Sequence, residues 1–285
     1  MPLSYACIAP HGGEVIRQLA TGSAVGRFQK TRSGMLKLAK EIRQAKPDTI
    51  VIATPHNLRL WGKIGVVISE NSSGTLQGSR GSKRSVHLKV KCDREFAREL
   101  LARTARKRLP VVGANYGSAE GATSNLPMDW GTLVPLWFNT KGRKNDPKVV
   151  IVTPSREIPL SQNYEFGRAI AELAEKGSKR YVFIASADQA HAHKKSGPYG
   201  FSVKAAEYDR IVMNAIEMGR LEFIMKLRTK LVEDAKPDSL WQMTMLAGAL
   251  SRVKMQGQLY SYQVPTYYGM LCAGFRRMQS RNIHV

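Results

Sequence analysis

Two histidines occupy matching positions in the first part of the sequence, each preceded by a proline at the end of an apolar run. His11 follows the run at residues 3–8 and His56 follows the run at residues 49–54, and both runs are typical of buried strands. Parallel strands of an α/β sheet end at one edge, which is where such sheets bind ligands. One Pro-His pair indicates only a turn, but two in the same context favour a shared metal or acid/base site.

Another pair of histidines follows a further predicted strand. His191 and His193 come after the apolar run at residues 180–186, so three strand ends carry imidazoles. Two imidazoles and one carboxylate on one face suit a non-haem Fe(II) site, in which the other coordination positions stay open. Of the remaining two histidines, His87 lies on an alternating segment, where we expect a structural or exposed side chain, and the other is His284.

Strands and helices alternate along most of the sequence. The apolar runs that predict buried strands are residues 3–8, 49–54, 148–153 and 180–186. The segments that predict helices are residues 33–45, 93–107, 161–176, 202–218, 221–231 and 238–251, followed by a short strand at 258–264. Residues 62–92 are β-rich and contain glycines, which predicts a hairpin or flap off the main sheet, and residues 113–127 predict a loop.

This order indicates one α/β domain over residues 1–285, a sandwich whose central sheet, largely parallel or mixed, is flanked by helices. Hydrophobic residues make up 43% of the chain, which is enough for a sizeable core. Cys7, Cys92 and Cys272 are far apart and favour a reducing compartment without a disulfide framework. The sequence has no secretory signal pattern and no apolar run of membrane-spanning length, so we expect a cytoplasmic protein with no membrane partner.

The charge of the chain is strongly positive, with 44 Lys and Arg against 22 Asp and Glu and a formal net charge of +22. Such a charge attracts anions, including nucleic acid, acidic membranes and negatively charged small molecules. The basic residues form only small clusters, at residues 80–84, 103–108, 143–148 and 194–195, without a zinc-finger or RNP signature. We therefore favour a solvated basic surface over a nucleic-acid site.

Six motifs occur in order along the sequence: ACIAPHGG, ATPHN, DWGTLVPL, ASADQAHAH, GPYGF and KPDSLWQMTMLAGAL. Together they resemble the class III extradiol ring-cleavage dioxygenases, the relatives of the protocatechuate 4,5-dioxygenase β chain. The resemblance runs from about residue 3 to about residue 275. Each motif alone is a weak signal, but six in the right order are a strong one.

The resemblance implies that His11 and His56 are iron ligands and that His191 is the acid/base residue of the active site. The family pattern around that third histidine is Ser-Gly-Asp-x-x-His, and here Ala187 replaces the glycine. Asp188, three residues before His191, is expected to orient it, with a turn-forming aspartate as the alternative interpretation.

The third metal ligand of the family is a glutamate at the start of a late helix that ends in Gly-Ala-Leu. Asp238, directly after Pro237, most nearly occupies that place here. An aspartate at a helix start is also an ordinary N-cap, so both interpretations stay open. Glu233 and Asp234 lie nearby and are the alternative carboxylates.

The residues expected to line the substrate pocket are Gly12, Asn57, Trp130 and Tyr199. Many relatives have Asp-His-Gly where this chain has Asp-Trp-Gly, so a histidine that hydrogen-bonds the substrate is replaced by Trp130. Trp130 would then provide an apolar or stacking wall, or it would be a core aromatic residue.

The function implied by the resemblance is that of an Fe(II)-dependent extradiol dioxygenase, with Mn(II) as the alternative metal. Such an enzyme inserts O2 into a catechol-type ring and opens it to a muconic semialdehyde-type product. A homo-oligomer, or a hetero-oligomer with a related subunit, is expected. The main alternative is a metal-free paralogue of the same fold that serves as a partner subunit or protein-binding module. A nucleic-acid or polyanion binder is a second alternative, motivated only by the charge.

Overall fold

The computed structural model describes residues 2–78, 82–140 and 146–278, so predictions that fall on Arg80, Gly81, Arg143 and His284 lie outside the described residues. Its strands are β1 (Leu3–Ala9), β2 (Thr49–Ala53), β3 (Ile64–Val67), β4 (Asn71–Gln77), β5 (Ser85–Lys91), β6 (Val111–Ala114), β7 (Asn125–Pro127), β8 (Lys148–Thr153), β9 (Tyr181–Ser186), β10 (Met255–Gln263) and β11 (Met270–Arg277). Its α-helices are α1 (Ala24–Arg27), α2 (Gln29–Ala45), α3 (Arg94–Arg106), α4 (Trp130–Thr140), α5 (Leu160–Ala174), α6 (Val203–Glu217), α7 (Thr229–Ala235) and α8 (Leu240–Leu250). Two 3-10 helices, Gly13–Val15 and Leu221–Lys226, complete the helical elements of the described ranges.

The main sheet contains eight strands in the order β10-β11-β1-β9-β2-β8-β3-β6 within the described residues. Its centre is parallel, because β1 pairs with β9, β9 with β2 and β2 with β8 in the same direction. Antiparallel pairs flank this centre, β11 beside β1 on one side and β3 beside β8 on the other. The four parallel strands therefore end at one edge of the sheet, as the two Pro-His motifs predict.

Helices cover both faces of the sheet, which confirms the predicted α/β sandwich. The strand β2 shows the division, because Val51 packs into one buried cluster and Ile52 into the other. The helices α3, α5, α6 and α8 contribute to the first cluster, and α2 and α4 contribute to the second. Successive side chains of a strand point to opposite faces, so a strand buried on both faces is apolar throughout.

Helices α5 and α8 pack with their backbones unusually close together. A Cβ atom built on Gly167 would lie 1.8 Å from the carbonyl oxygen of Met245, and one built on Gly248 would lie 1.9 Å from that of Tyr164. No side chain fits in this space, so glycine is required at both positions. The close contact fixes α8 against α5 and thereby helps to place the residues that precede α8.

Residues 62–92 do not form one flap, contrary to the sequence prediction. The strand β3 belongs to the main sheet, between β8 and β6, whereas the hairpin is formed by β4 and β5 and joined by β7. The sequence of β4, NSSGTLQ, is mostly polar and carries no strand signal. Its partner β5 alternates as predicted, and there the exposed His87 hydrogen-bonds Thr75 through Nδ1 (3.0 Å).

Three other predictions differ from the structure. The helix predicted at 221–231 is instead the 3-10 helix Leu221–Lys226, followed after a break by α7. The predicted strand at 258–264 is the longer β10, and it is followed by β11, which was not predicted. The first six residues of β11 form a short, buried and mainly apolar run beside β1, a pattern that periodicity does not distinguish from a helix segment. The predicted loop at 113–127 contains β7 and the end of β6. In the described ranges, no helix has the length and apolar character needed to cross a membrane.

Candidate metal centre and cavity

His11 and His56 meet at the carboxyl edge of the parallel strands. His11 follows β1 and His56 follows β2, with β9 lying between these strands in the sheet. Their Nε2 atoms lie 3.1 Å apart, and the two rings are nearly perpendicular, at 89°. His11 is buried and His56 is half-buried, so the pair lies at the boundary between the core and solvent.

Asp238 completes this pair from the segment before α8. Its Oδ2 atom lies 3.3 Å from Nε2 of His11 and 3.1 Å from Nε2 of His56. Its other oxygen, Oδ1, is buried and has no hydrogen-bond partner among the described residues. The N-cap interpretation of Asp238 is wrong, because Ser239 occupies the cap position of α8 and no side chain forms a cap hydrogen bond there.

The alternative carboxylates do not join this cluster. Asp234 pairs with Lys230 at 2.9 Å on the surface of α7. Glu233 lines the adjacent cavity, but it is exposed and lies outside the group of His11, His56 and Asp238.

A chain of hydrogen bonds orients the ring of His11. The hydroxyl of Ser186, at the end of β9, donates to the carbonyl oxygen of Gly131 at 2.5 Å. The same hydroxyl oxygen therefore accepts from Nδ1 of His11 at 3.0 Å. With the proton placed on Nδ1, the lone pair of the neutral ring lies on Nε2, which faces His56 and Asp238. A hydrogen bond to the ring nitrogen that does not face the metal fixes the tautomer of metal-binding histidines in this way.

The carboxylates of Asp188 and Asp238 lie beside His11, and His11 affects the pKa of both as they affect its own. Burial lowers the pKa of His11, but the carboxylates of Asp188 and Asp238 outweigh this effect and raise it to about 9. Burial raises the pKa of Asp188 to about 6, against the opposing effect of His11. Burial acts in the same direction on Asp238, but its contacts with the two histidines hold the pKa of this carboxyl well below its usual range. The two carboxylates therefore favour a positive charge at this position, which a proton on His11 or a bound cation can supply.

The three facing atoms fit a single transition-metal ion. Ligand atoms at right angles, each about 2.1 Å from one ion, are about 3.0 Å apart. The distances of 3.1, 3.1 and 3.3 Å between the two Nε2 atoms and Oδ2 agree with this spacing. Two neutral imidazoles and one carboxylate are the donors of non-haem iron sites. His11, His56 and Asp238 could therefore hold a divalent metal.

A cavity of about 990 Å³ opens beside these three residues. Of the residues predicted to line a substrate pocket, Gly12, Trp130 and Tyr199 line this cavity, and Asn57 does not. The Nδ2 atom of Asn57 instead donates to the carbonyl oxygen of Pro127 (3.3 Å), so it supports the loop before α4. At Gly12, a Cβ atom would lie 2.5 Å from the hydroxyl of Tyr268, which explains the need for glycine there.

Trp130 forms a wall of the cavity and is not a core residue. It is the first residue of α4, its side chain is 47% exposed, and its ring lies 4.4 Å from that of His56 at an angle of 30°. The preceding Asp129 fixes this position, since its carboxylate accepts from the backbone N–H groups of Gly131 (3.0 Å) and Thr132 (3.1 Å). The Asp-Trp-Gly motif is therefore a helix start that places an aromatic face against His56.

His191 lies in the same cavity, in the segment that follows β9. Its Nδ1 atom lies 2.8 Å from the carbonyl oxygen of Gln189, which can only accept, so Nδ1 carries the proton. In the neutral ring Nε2 is then the free base. Asp188 was expected to orient this ring, and that expectation is wrong. Its Oδ1 accepts from the backbone N–H of His11 (3.1 Å) and its Oδ2 lies 3.3 Å from Nε2 of that histidine.

Three tyrosines that the sequence did not single out as a group surround His191. Tyr268 stacks on its ring with centroids 5.2 Å apart, and Tyr199 and Tyr267 lie 5.6 and 5.8 Å from it. Only Tyr199 was predicted at the pocket. The other two lie between β10 and β11, in a TYYG segment whose aromatic pair was its only sequence signal.

Asp209 was also missed, although it anchors the segment that carries His191. This buried residue of α6 accepts hydrogen bonds from the backbone N–H of Ala190 (2.9 Å), Nε2 of His193 (2.8 Å) and the hydroxyl of Tyr262 (2.6 Å). His193 therefore helps to hold this segment in place through its hydrogen bond to Asp209. The sequence signal that could have revealed Asp209 is its position on the inward face of a predicted helix, because a buried carboxylate there needs hydrogen-bond donors or a positive charge.

Replacing Asp209 with alanine should lower the free energy of unfolding by about 3–5 kcal/mol, because three buried donors lose their acceptor. Urea denaturation of the purified protein measures this loss. Asp234→Ala is the matched control, since that carboxylate forms an exposed pair with Lys230 and should contribute less than about 0.5 kcal/mol. Equal losses for the two variants would contradict the anchoring role.

Comparison with known proteins agrees with the geometry of the site. The family model of the catalytic LigB subunit of aromatic ring-opening dioxygenases matches residues 5–273. The chain belongs to this family. The match spans β1 to β11 and includes all the residues of the cavity described above, and it confirms the resemblance inferred from the six motifs.

Two individual proteins are also similar to this chain, one in sequence and one in fold. Protein CA_C1420 of Clostridium acetobutylicum is 26% identical over 263 residues, which are 92% of this chain and 55% of that protein. The LigB-family chain thus spans about half the length of this curated relative. The crystal structure of the uncharacterized protein JW3007 from Escherichia coli K12 superposes with a TM-score of 0.58, covering 95% of this chain and 99% of that one. At 16% identity, that likeness shows the fold alone.

Proposed function

We propose that this LigB-family protein is an Fe(II)-dependent extradiol dioxygenase that opens a catechol-type ring with O2. One observation carries the proposal: His11, His56 and Asp238 present three ligand atoms to one point, at the floor of a cavity that also contains His191. Two histidines and a carboxylate with open positions are the donor set of non-haem iron oxygenases. A redox-inactive structural ion would more commonly be enclosed by four ligands.

The protein residues would act on the protons of the substrate. Bound to the three ligands, Fe(II) would supply a Lewis acid for the ring oxygens and a site at which O2 can be activated. His191 would take a proton from a catechol hydroxyl at Nε2, the free nitrogen of its ring, and return it later in the reaction. The carbonyl of Gln189 holds this tautomer through Nδ1 at 2.8 Å. General acid/base catalysis of this kind contributes about 10²–10⁴-fold.

Aromatic side chains would hold the substrate ring. Trp130 stands on the His56 side of the cavity, whereas Tyr199, Tyr267 and Tyr268 surround His191. A flat catechol between these groups would be shielded from water and aligned with its hydroxyls toward the metal ligands. Offset or edge contacts between aromatic rings contribute about 0.5–1.5 kcal/mol each beyond simple burial.

The experiment that tests the proposal begins with anaerobic loading of the protein with Fe(II) and, separately, with Mn(II). After desalting, elemental analysis should give about one ion per chain. Catechol, protocatechuate, homoprotocatechuate and 2-aminophenol are then added in air, and O2 uptake is recorded together with the visible absorbance. We expect one O2 consumed per ring and a yellow product from at least one substrate. A metal-free paralogue would retain no ion and consume no O2 with any of them.

A further inference from the structure

The two imidazoles of the candidate metal site are held in different ways. Nδ1 of His11 donates to the hydroxyl of Ser186 at 3.0 Å, which fixes the plane of that ring. His56 uses Nε2 for its contacts with His11 and Asp238, and its Nδ1 makes no hydrogen bond within the part of the chain that the structure describes. The side chain of His56 is 24% exposed, against 2% for His11. Neither a hydrogen bond at Nδ1 nor enclosure by the core therefore holds the ring of His56.

The indole ring of Trp130 lies against one face of His56. The two ring centroids are 4.4 Å apart and the planes are inclined by 30°, whereas the contact of His56 with His11 is edge-on, at 89°. The torsion about the Cβ–Cγ bond of a histidine is broad, and rotation about it swings Nε2 out of position. A nearly parallel indole face opposes this rotation, because the edge of the imidazole would move into the indole atoms.

The backbone around His56 is joined to the start of α4, which carries the indole. On one side of His56, the hydroxyl of Thr54 donates to the carboxylate of Asp129 at 3.0 Å, and this carboxylate also accepts from two backbone N–H groups in the first turn of α4. On the other side, Asn57 donates through Nδ2 to the carbonyl oxygen of Pro127 at 3.3 Å. The imidazole and the indole are therefore carried by two segments that are fixed to each other.

Gly131, directly after Trp130, allows these segments to come close together. A Cβ atom at this position would lie 2.6 Å from Oγ1 of Thr54 and 3.3 Å from Cδ2 of His56, so a larger residue does not fit. The three residues of the Asp-Trp-Gly motif thus act together on His56: the aspartate joins the segments, the tryptophan stacks on the ring and the glycine permits the close approach.

We infer that Trp130 is a positioning residue for His56, whose imidazole it holds in the orientation needed to bind a divalent metal through Nε2. The indole face restrains His56 in the way that the hydroxyl of Ser186 restrains His11. A ligand that is restrained before the metal arrives loses less conformational freedom on binding, so the restraint increases the affinity for the metal. This inference rests on the proposed function for the presence of a metal ion, but not for the cleavage of a ring.

The test measures the affinity of the protein for Co(II), a spectroscopic probe of such a site, without O2 or substrate. Titration against a competing chelator is followed by the visible absorbance of the bound ion. Trp130→Ala should weaken Co(II) binding by about 3–10-fold, the effect of one aromatic contact. Trp130→Phe keeps an aromatic face and should recover most of the affinity. Trp130→Leu keeps apolar bulk without a flat ring, so it should behave like the alanine variant and replaces it if that variant does not fold.

The matched control is Trp61→Ala, the same chemical change in the loop that follows His56. The side chain of Trp61 is 81% exposed, and within the described ranges its ring is not stacked on a histidine. Because surface substitutions are usually close to neutral, the control should change the Co(II) affinity by less than about twofold. Thermal melting of the metal-free proteins shows whether each variant is folded.

Proton NMR of the Co(II)-loaded protein separates the positioning of His56 from general damage to the site. The ring N–H protons of the two bound histidines should give two strongly shifted signals that exchange with solvent. The faster exchange in D2O identifies His56, because Nδ1 of His11 is held against Ser186 in the core. Trp130→Ala should move or broaden the His56 signal and leave the His11 signal unchanged.

Three results would overturn the inference: unchanged Co(II) affinity in Trp130→Ala, an equal loss in Trp61→Ala, or equal changes of both histidine signals. Turnover of catechol in air by the Fe(II)-loaded proteins separates the inference from the proposed function. Ring cleavage without an effect of Trp130 on metal affinity would support the dioxygenase alone. An effect of Trp130 on metal affinity without ring cleavage would support the positioning role alone. A wild-type protein that binds neither ion would refute both.

Discussion

Replacement of His191 by phenylalanine is expected to lower the turnover of a catechol substrate by about 10²–10⁴-fold while the protein keeps its metal. The phenylalanine ring fits the space between Tyr199, Tyr267 and Tyr268, so the substitution should not disturb the cavity wall. It removes the Nε2 base, which the structure leaves free because Nδ1 is bound to the carbonyl of Gln189. Steady-state O2 uptake and elemental analysis of the loaded variant measure the two quantities.

The distribution of the loss between kcat and KM distinguishes proton transfer from simple damage to the pocket. A missing base lowers kcat and leaves the anaerobic dissociation constant of catechol nearly unchanged. His87→Phe, the same chemical change on the exposed hairpin, should alter turnover less than twofold. A loss below tenfold in the His191 variant, or a loss of its metal, would refute the assignment of the acid/base role to His191.

Strand-end positions were the part of the candidate site that the sequence could predict. His11, His56 and His191 follow three apolar runs, and parallel strands bring the ends of such runs to one edge, so their proximity follows from local patterns. Asp238 lies before a helix that is distant in sequence from all three. Only the resemblance to a family pointed to it, and only the structure separates a carboxylate that faces two histidines from a helix cap.

The residues that the sequence did not predict owe their positions to tertiary packing. Asp188 is three residues from His191, but the turn between them directs its carboxylate to His11. Asp209 and Tyr268 reach the site from α6 and from the segment before β11. No period or short motif relates such segments, since their distances depend on the order of strands in the sheet. The hairpin was misplaced for a related reason, because the polar strand β4 is stabilised by its neighbours and not by its own composition.

The contacts of Asp188 and Asp209 determine which substitutions separate metal binding from the support of His191. Because Asp188 contacts His11, its substitution would disturb a proposed metal ligand and the segment that carries His191 together. Asp209 contacts the segment of His191 and Tyr262 but neither His11, His56 nor Asp238, so its variants separate support of His191 from metal binding. Asp238 contacts both histidines and belongs to the ligand group alone, which makes it the most direct test of the metal site.

The substitution Asp238→Asn is expected to abolish stoichiometric Fe(II) binding, and with it turnover, while the protein stays folded. Asparagine has nearly the same shape but is a neutral and poorer ligand, so the affinity should fall by more than the roughly 10–100-fold typical of residues that only support a ligand. Because Asp238 caps no helix, neither Asn nor Ala at this position should lower the free energy of unfolding by the roughly 0.5–2 kcal/mol that a lost N-cap costs.

Glu233→Gln is the matched control, since this nearby carboxylate lines the same cavity outside the cluster and should leave the metal content unchanged. Elemental analysis after anaerobic loading, with thermal melting of the metal-free forms, measures both effects. Retention of iron and activity in Asp238→Asn, together with their loss in Glu233→Gln, would move the third ligand to Glu233.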